Sequence, residues 1–144
     1  VTVIDDSYNA SPASMNAAFA SMNVMPPTIM IFSDMLELGE ATALEHEMLI
    51  PHINALSPRL VIALGPAMHE AISSLDTDII SYAAKDTDAA SEMLDTAIKD
   101  GDVIFIKGSL GSGSWRVRDA ILGKLAIHPS SDTPTHSGEN SHAA

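Results

Sequence analysis

The chain has 144 residues, of which 46% are hydrophobic, and this is enough for one domain with its own core and excludes general disorder. Its formal net charge of -12 argues against nucleic acid or an anionic membrane as a partner, because phosphate neutralisation requires clustered lysine and arginine. There is no cysteine, and no apolar run is long enough for membrane insertion. We therefore expect a cytoplasmic protein.

The first predicted element is a buried parallel strand at residues 1–4, a short run of mainly β-branched apolar residues. It ends in the sequence DDSYNASP at residues 5–12. Ser11 can cap a helix whose first residue is Pro12, where the missing N–H costs nothing. The chain begins inside a strand pattern without an initiator methionine, so we expect a fragment of a longer protein.

Strands and helices alternate along the rest of the chain. Further strands are predicted at residues 28–32, 59–64, 79–82 and 103–106. The intervening helices include one that begins at Pro66, one capped by Thr87 and one capped by Ser114, while Pro51 predicts a kink or two short helices within residues 42–56. The alternation predicts an α/β, Rossmann-like, doubly wound fold, with a mainly parallel sheet of five or six strands and helices on both faces. Residues 128–144 are polar, and we expect a disordered tail.

The candidate ligand-contacting side chains follow the carboxyl ends of the predicted strands, where open α/β sheets bind ligands. They are Asp5, Asp6, Tyr8, Asn9, Ser33, Asp34, Lys107 and Ser109. A carboxylate at this edge can accept hydrogen bonds from ribose hydroxyls, and an asparagine can contact a base edge or orient a carbonyl. The alternative is that aspartate and asparagine only form turns and cap helices. The spacing alone does not decide between these interpretations.

Two other motifs resemble a phosphate-binding loop and a metal site, but neither has the full pattern that such a site requires. The glycine- and serine-rich loop at residues 108–113 precedes a helix, which favours anions, but it lacks the Lys-Ser/Thr ending of a P-loop. Lys107 is the better indication, since a cation at this edge can hold a carboxylate or a phosphate. The acidic and histidine side chains at residues 45–47 cannot converge on one metal ion, because consecutive helical residues point about 100° apart. His46 could still point towards the ligand edge.

Taken together, DDSYNASP at residues 5–12, SDMLELG at residues 33–39, His46 and Lys107-Gly108-Ser109 resemble the C-terminal domain of the Mur ligases. The resemblance extends to about Leu125. Within that family, the first two motifs are typical of the branch that adds D-alanyl-D-alanine to UDP-N-acetylmuramoyl-tripeptide.

The resemblance implies a three-domain, ATP-dependent ligase of peptidoglycan precursor synthesis. One domain would bind the UDP-sugar peptide, a central P-loop domain of the same parent chain would hold most of the ATP and Mg²⁺, and the present domain would close over it. ATP would activate the terminal carboxylate of the tripeptide as an acyl phosphate, and the amine of D-alanyl-D-alanine would then form the amide. We expect these 144 residues alone to be inactive.

By motif position, the resemblance implies roles for eight residues. Asp6 would contact the ATP ribose, with Tyr8 and Asn9 lining the nucleotide or dipeptide side. The residues implied on the dipeptide side are Asp34, Leu36, His46, Lys107 and Ser109; the resemblance implies no metal ligand in this domain.

The chain departs from the family pattern at three positions. Ser11 replaces an asparagine and Ser33 a glycine, and both changes preserve small or capping side chains. Leu110 replaces the usual arginine after Lys-Gly-Ser, which removes a charge from the dipeptide side. Arg116 or Arg118 could compensate for that loss.

Two other classes of function were weighed. A receiver domain also has an acidic pair after its first strand and a lysine after its fifth, but here the third strand ends in Leu64-Gly65 instead of a phosphate-accepting aspartate. A non-catalytic nucleotide-binding module is the second alternative.

Overall fold

The computed structural model describes residues 1–127, which form a five-stranded sheet covered by helices on both faces. The strands are β1 Thr2–Asp6, β2 Ile29–Ser33, β3 Leu60–Leu64, β4 Ile80–Ala84 and β5 Val103–Lys107. Their order in the sheet is β1-β5-β2-β3-β4, and every neighbouring pair is parallel. The predicted parallel, doubly wound α/β fold is confirmed. The predicted tail at residues 128–144 lies outside the described residues.

The α-helices follow the strands in the predicted alternation. They are α1 Pro12–Ser21, α2 Thr42–Glu47, α3 Ile50–Leu56, α4 Pro66–Ala71, α5 Thr87–Ala97 and α6 Ser114–Ile127. The two short helices α2 and α3 confirm the interruption predicted from Pro51. The predicted cap of α5 is wrong by one residue, because Asp86 is the N-cap and its carboxylate accepts a hydrogen bond from the Ala89 amide at 2.8 Å. Among the described residues, no helix combines the length and apolarity needed to cross a membrane.

Alternation along each central strand builds two separate cores. In β2, Met30 and Phe32 pack with α1, α3 and α4, whereas Ile29 and Ile31 pack with α5 and α6. Strands buried on both faces are typical of parallel sheets, and each fully buried large apolar side chain contributes about 1.5–3 kcal/mol. This two-sided burial makes the sheet a rigid base for the loops at its carboxyl edge.

The amino edge of the sheet is held by Asp102, which is nearly fully buried. Its carboxylate accepts hydrogen bonds from the guanidinium of Arg59, the hydroxyl of Thr28 and the amide of Lys99. Burial acts to raise the pKa of Asp102, but the hydrogen bonds from Arg59, Lys99 and Thr28 outweigh it and hold the pKa below its ordinary value of 3.8. The ionised form is therefore the one that stabilises the fold.

We predict that Asp102→Asn lowers the free energy of unfolding at pH 7 by about 1–3 kcal/mol, because hydrogen bonds to a buried charge are lost. Because the folded-state pKa is lowered, this stabilisation is present above the unfolded-state pKa and is lost as the pH falls through the folded-state pKa. Urea denaturation at a series of pH values from 7 to 2 should show that the difference in unfolding free energy between the wild type and Asp102→Asn becomes smaller in acid. Asp100→Asn, a change at an exposed carboxylate in the same turn, should leave stability almost unchanged.

Candidate functional site

The parallel arrangement places the carboxyl ends of all five strands along one edge of the sheet, and we call this the ligand edge. The register aligns Asp6 with Lys107 and Ser33 with Leu64, and Leu64 with Ala84. The ends of these strands and the loops that follow them carry every side chain for which the sequence predicted a ligand contact, with the exception of His46 on α2.

Lys107 is fully buried at the end of β5. Its ammonium forms an ion pair with Oδ2 of Asp6 at 2.7 Å and donates a hydrogen bond to the carbonyl of Asn9 at 2.5 Å. The sequence predicted that Lys107 contacts the ligand. In the structure, its ammonium group instead contacts the turn after β1. Lys107 therefore holds Asp6 in place, and the Asp6 side chain remains 37% exposed.

Asp5, the neighbour of Asp6 on β1, points to the opposite face and is also buried. One of its oxygens accepts from the amide and hydroxyl of Ser7, and the other pairs with the Arg118 guanidinium of α6 at 2.8 Å. Burial acts to lower the pKa of Arg118, but hydrogen bonds to Asp5 and Asp119 raise it above its ordinary value. Asp5 is therefore a structural anchor between β1 and α6.

The residues predicted to contact the nucleotide remain accessible on the turn after β1. Asp6 is partly exposed, and Tyr8 and Asn9 are exposed. The amides of Gly108 and Leu110 donate to the carbonyls of Asp6 and Tyr8, at 3.3 and 3.1 Å, so the turns after β1 and β5 are joined. The structure thus brings these three side chains together next to the glycine- and serine-rich loop.

Asp34 follows β2 and supports the start of α4. Its two oxygens accept from the amides of Ala67 and Met68 at 3.1 and 2.8 Å. The carboxylate lies against Gly65, which has a φ of +98°. A Cβ at Gly65 would lie 2.5 Å from the Asp34 carboxyl carbon, so glycine is required there for both conformation and space.

His46 is fully buried on α2 and holds the loop at residues 35–39. Nε2 accepts from the Met35 amide at 2.9 Å, which leaves the proton on Nδ1, facing the Thr42 carbonyl at 2.6 Å. Both ring nitrogens are therefore used by the backbone. Nε2 also lies 4.0 Å from Oδ1 of Asp34, so the ring faces the end of β2 at the ligand edge, as predicted. Its hydrogen bonds position the segment that carries the half-exposed Leu36, and a contact of His46 with a ligand stays a prediction.

The loop at residues 108–113 is tightly packed against the end of β2. The hydroxyls of Ser33 and Ser112 are 2.6 Å apart, and Ser109 accepts from the Ser112 amide at 3.2 Å. Ser109 therefore caps a turn of 3₁₀ helix. The predicted capping role of Ser114 is wrong, because Ser114 is the first residue of α6 and its buried hydroxyl has no hydrogen-bond partner among the described residues.

Two clefts open at the ligand edge. The larger, about 660 Å³, lies between α2 and α4, and every charged side chain that lines it is acidic. The smaller, about 390 Å³, lies over the ends of β2, β3 and β4, and we call it the β2–β4 cleft. Of the five residues implied on the dipeptide side, Asp34 and Leu36 line the β2–β4 cleft, whereas Lys107, Ser109 and His46 do not.

Two cations of the β2–β4 cleft, Lys85 and Arg116, were not among the predicted site residues. Lys85 follows β4, which the sequence predicted to end at Tyr82 although it continues to Ala84. Extending that strand by two residues would have placed Lys85 at the ligand edge. Arg116 lies in the first turn of α6 and was considered only as compensation for the missing arginine.

Comparison with known proteins places this architecture in one family. Residues 1–110 match the family described as Mur ligase, glutamate ligase domain. The chain therefore belongs to the Mur ligase family, and the resemblance seen in its motifs is confirmed.

The similar relatives share one name, UDP-N-acetylmuramoyl-tripeptide--D-alanyl-D-alanine ligase. The protein of Mycobacterium tuberculosis (strain ATCC 25618 / H37Rv) is 33% identical over 150 residues, covering 85% of this chain and 29% of the relative. That of Treponema pallidum (strain Nichols) is 30% identical over 115 residues, covering 76% and 25%. The chain thus spans less than a third of the length of these relatives.

Solved structures agree with this assignment. MurF ligase from Thermotoga maritima in complex with ADP superposes with a TM-score of 0.70 at 26% identity, covering 88% of this chain and 29% of that one. MurF from Acinetobacter baumannii has the same TM-score at 24% identity and supports the fold alone.

Proposed function

We propose that this chain is the C-terminal domain of an ATP-dependent ligase that joins D-alanyl-D-alanine to UDP-N-acetylmuramoyl-tripeptide. The observation that carries the proposal is the 33% identity, over 85% of the chain, to a relative of that name. In this reaction a carboxylate oxygen of the tripeptide attacks the γ-phosphorus of ATP and ADP leaves. The dipeptide amine then attacks the acyl carbon, phosphate leaves, and the amine loses its proton.

The domain would contribute binding and positioning to this reaction. Lys107 uses one oxygen of Asp6, so the other oxygen of that partly exposed carboxylate is free to accept from ribose hydroxyls. Tyr8 and Asn9, on the same turn, would line the nucleotide. Closure of this edge over the rest of the ligase would exclude water from the acyl phosphate.

The next question is whether this domain could hold the Mg²⁺ ion that accompanies ATP. Within residues 1–127, no group of three His, Asp or Glu side chains is placed to hold a metal ion. The residues present do not form a Mg²⁺ site, so we assign this chain no step that involves the ion.

The ribose contact is tested by Asp6→Asn in the full-length ligase. Asparagine has one acceptor oxygen, which Lys107 would take, leaving the NH₂ group to face the ribose. We predict that the KM for ATP rises about tenfold or more, since a hydrogen bond to a charged group is lost. The KM for D-alanyl-D-alanine should change little.

A nucleotide without ribose hydroxyls sharpens this test. The wild-type ligase should use 2′,3′-dideoxy-ATP much less well than ATP, whereas Asp6→Asn should discriminate weakly between the two. Asp78→Asn, at an exposed carboxylate on the amino side of β4, is the matched control. Equal discrimination by Asp6→Asn and the wild type would remove Asp6 from the nucleotide site.

A further inference from the structure

The β2–β4 cleft combines apolar walls with two cations. Leu36, Leu64 and Pro66 supply apolar surface, and Lys85 and Arg116 supply positive charge. Its volume of about 390 Å³ is within the range of small-ligand sites. A ligand that fits this lining is small, carries an anionic group and presents short apolar side chains.

Two cations without ion-pair partners in one cleft are unusual in a chain whose formal net charge is -12. The chain has 7 lysines and arginines against 19 acidic residues. Four of those cations form ion pairs, at Arg59, Lys107, Arg118 and Lys124. Within the described part of the chain, the other three, Lys85, Lys99 and Arg116, form no ion pair, and Lys85 and Arg116 line the same cleft.

The two carboxylates that line the cleft, Asp34 and Asp86, form no ion pair with these cations in the part of the chain that the structure describes. Asp34 accepts hydrogen bonds from the first amides of α4, and Asp86 accepts one from the Ala89 amide of α5. Both carboxylates therefore face helix N-termini, where negative charge is stabilised. Lys85 and Arg116 remain available to an anion from outside the domain.

Arg116 is also oriented by its neighbour. Its guanidinium carbon lies 5.3 Å from the centre of the Trp115 ring, a cation–π contact that restricts an otherwise flexible side chain. Arg118, the other candidate to replace the missing arginine, is occupied by Asp5 and Asp119. Arg116 is therefore the arginine of α6 that is free to bind a ligand.

We propose that Lys85 and Arg116 bind the terminal carboxylate of the incoming D-alanyl-D-alanine, and this assignment rests on the function proposed above. A guanidinium and an ammonium together satisfy a carboxylate with charge-assisted hydrogen bonds. The apolar walls fit the two methyl groups of the dipeptide.

The sheet order separates the β2–β4 cleft from the residues proposed to contact the nucleotide ribose. The nucleotide residues proposed above follow β1, and β5 separates β1 from β2. Neighbouring strands lie about 4.8 Å apart, so β2, the nearest strand of the cleft, is about 10 Å from β1. Nucleotide and dipeptide would therefore occupy adjacent parts of the same edge.

The experiment measures steady-state kinetics of the full-length ligase with Lys85→Met, Arg116→Met and the double substitution. The KM for D-alanyl-D-alanine should rise about 10- to 100-fold for Arg116→Met and further for the double variant, while the KM for ATP stays constant. Arg116→Lys should restore part of the loss. Lys99→Met, which removes an exposed lysine from the amino side of β5, is the matched control.

D-Alanyl-D-alanine amide, which lacks the carboxylate, identifies the group that is bound. The wild-type ligase should prefer the free dipeptide over the amide, and the double variant should lose that preference. An unchanged KM for the dipeptide, or an unchanged preference, would overturn the assignment. A rise confined to the KM for ATP would identify the anion as a phosphoryl group. A wild-type ligase that does not join D-alanyl-D-alanine to the tripeptide at all would overturn the proposed function itself.

Discussion

Arg118→Met is expected to lower the free energy of unfolding by about 3–5 kcal/mol, because it leaves the Asp5 carboxylate buried without its charged partner. Methionine preserves most of the side-chain volume, so the effect reports mainly on charge. The Ser7 hydrogen bonds remain, but they satisfy only one of the two carboxylate oxygens. Urea denaturation of the chain at pH 7 measures the change.

Two variants separate lost charge compensation from lost packing. Arg116→Met, on the same helix but exposed, should cost less than about 1 kcal/mol. Adding Asp5→Asn to Arg118→Met should recover part of the lost stability, because a neutral amide is less costly to bury than a carboxylate. If Arg118→Met is no more destabilising than Arg116→Met, the buried pair does not stabilise the fold.

Gly65→Ala is expected to destabilise the protein by roughly 2–5 kcal/mol through backbone strain and overpacking together. At a φ of +98° an alanine is strained, and its Cβ would lie 2.5–2.7 Å from the carboxylate atoms of Asp34. Asp34 would have to move, and α4 would lose the hydrogen bonds to its first amides. Because Asp34 also lines the β2–β4 cleft, the KM for D-alanyl-D-alanine in the full-length ligase should rise too.

Gly101→Ala separates the cost of backbone strain from the cost of the steric clash with Asp34. Gly101 has a similar φ of +85°, but a Cβ there would meet no atom within 4 Å. We expect it to cost about 1–2 kcal/mol, with no effect on the KM for the dipeptide. Equal costs at the two glycines would show that contact with Asp34 contributes nothing.

Local patterns predicted the fold well because each element carries its own signal. Apolar runs predicted all five strands, and the prolines at residues 12, 51 and 66 predicted where helices begin or are interrupted. Errors were confined to element ends. Ala83 and Ala84 extend β4 beyond Tyr82, because alanine has little preference for strands and so gives no clear signal for where one ends. Asp86 takes the capping role expected of Thr87, in agreement with the stronger N-cap preference of aspartate.

The site was harder to predict, since its residues act through partners distant in the sequence. Lys107 contacts Asp6 and Asn9 only because β5 is the neighbour of β1, and sequence order does not reveal sheet order. The buried position of His46 depends on backbone groups at residues 35 and 42, which no side-chain pattern encodes. Tyr8 and Leu36 are accessible at the ligand edge, and their contacts with a ligand stay predictions.

The pairing of β1 with β5 has a consequence for how the ligand edge forms. β1 pairs with β5 alone, and the hydrogen bond from Lys107 to Asn9 joins residues 98 positions apart. The entropy of closing so long a loop must be overcome before the turn at residues 5–12 has its native shape. A short peptide with this turn sequence therefore lacks the contacts that shape it, and the turn proposed to contact the nucleotide is a property of the completed sheet.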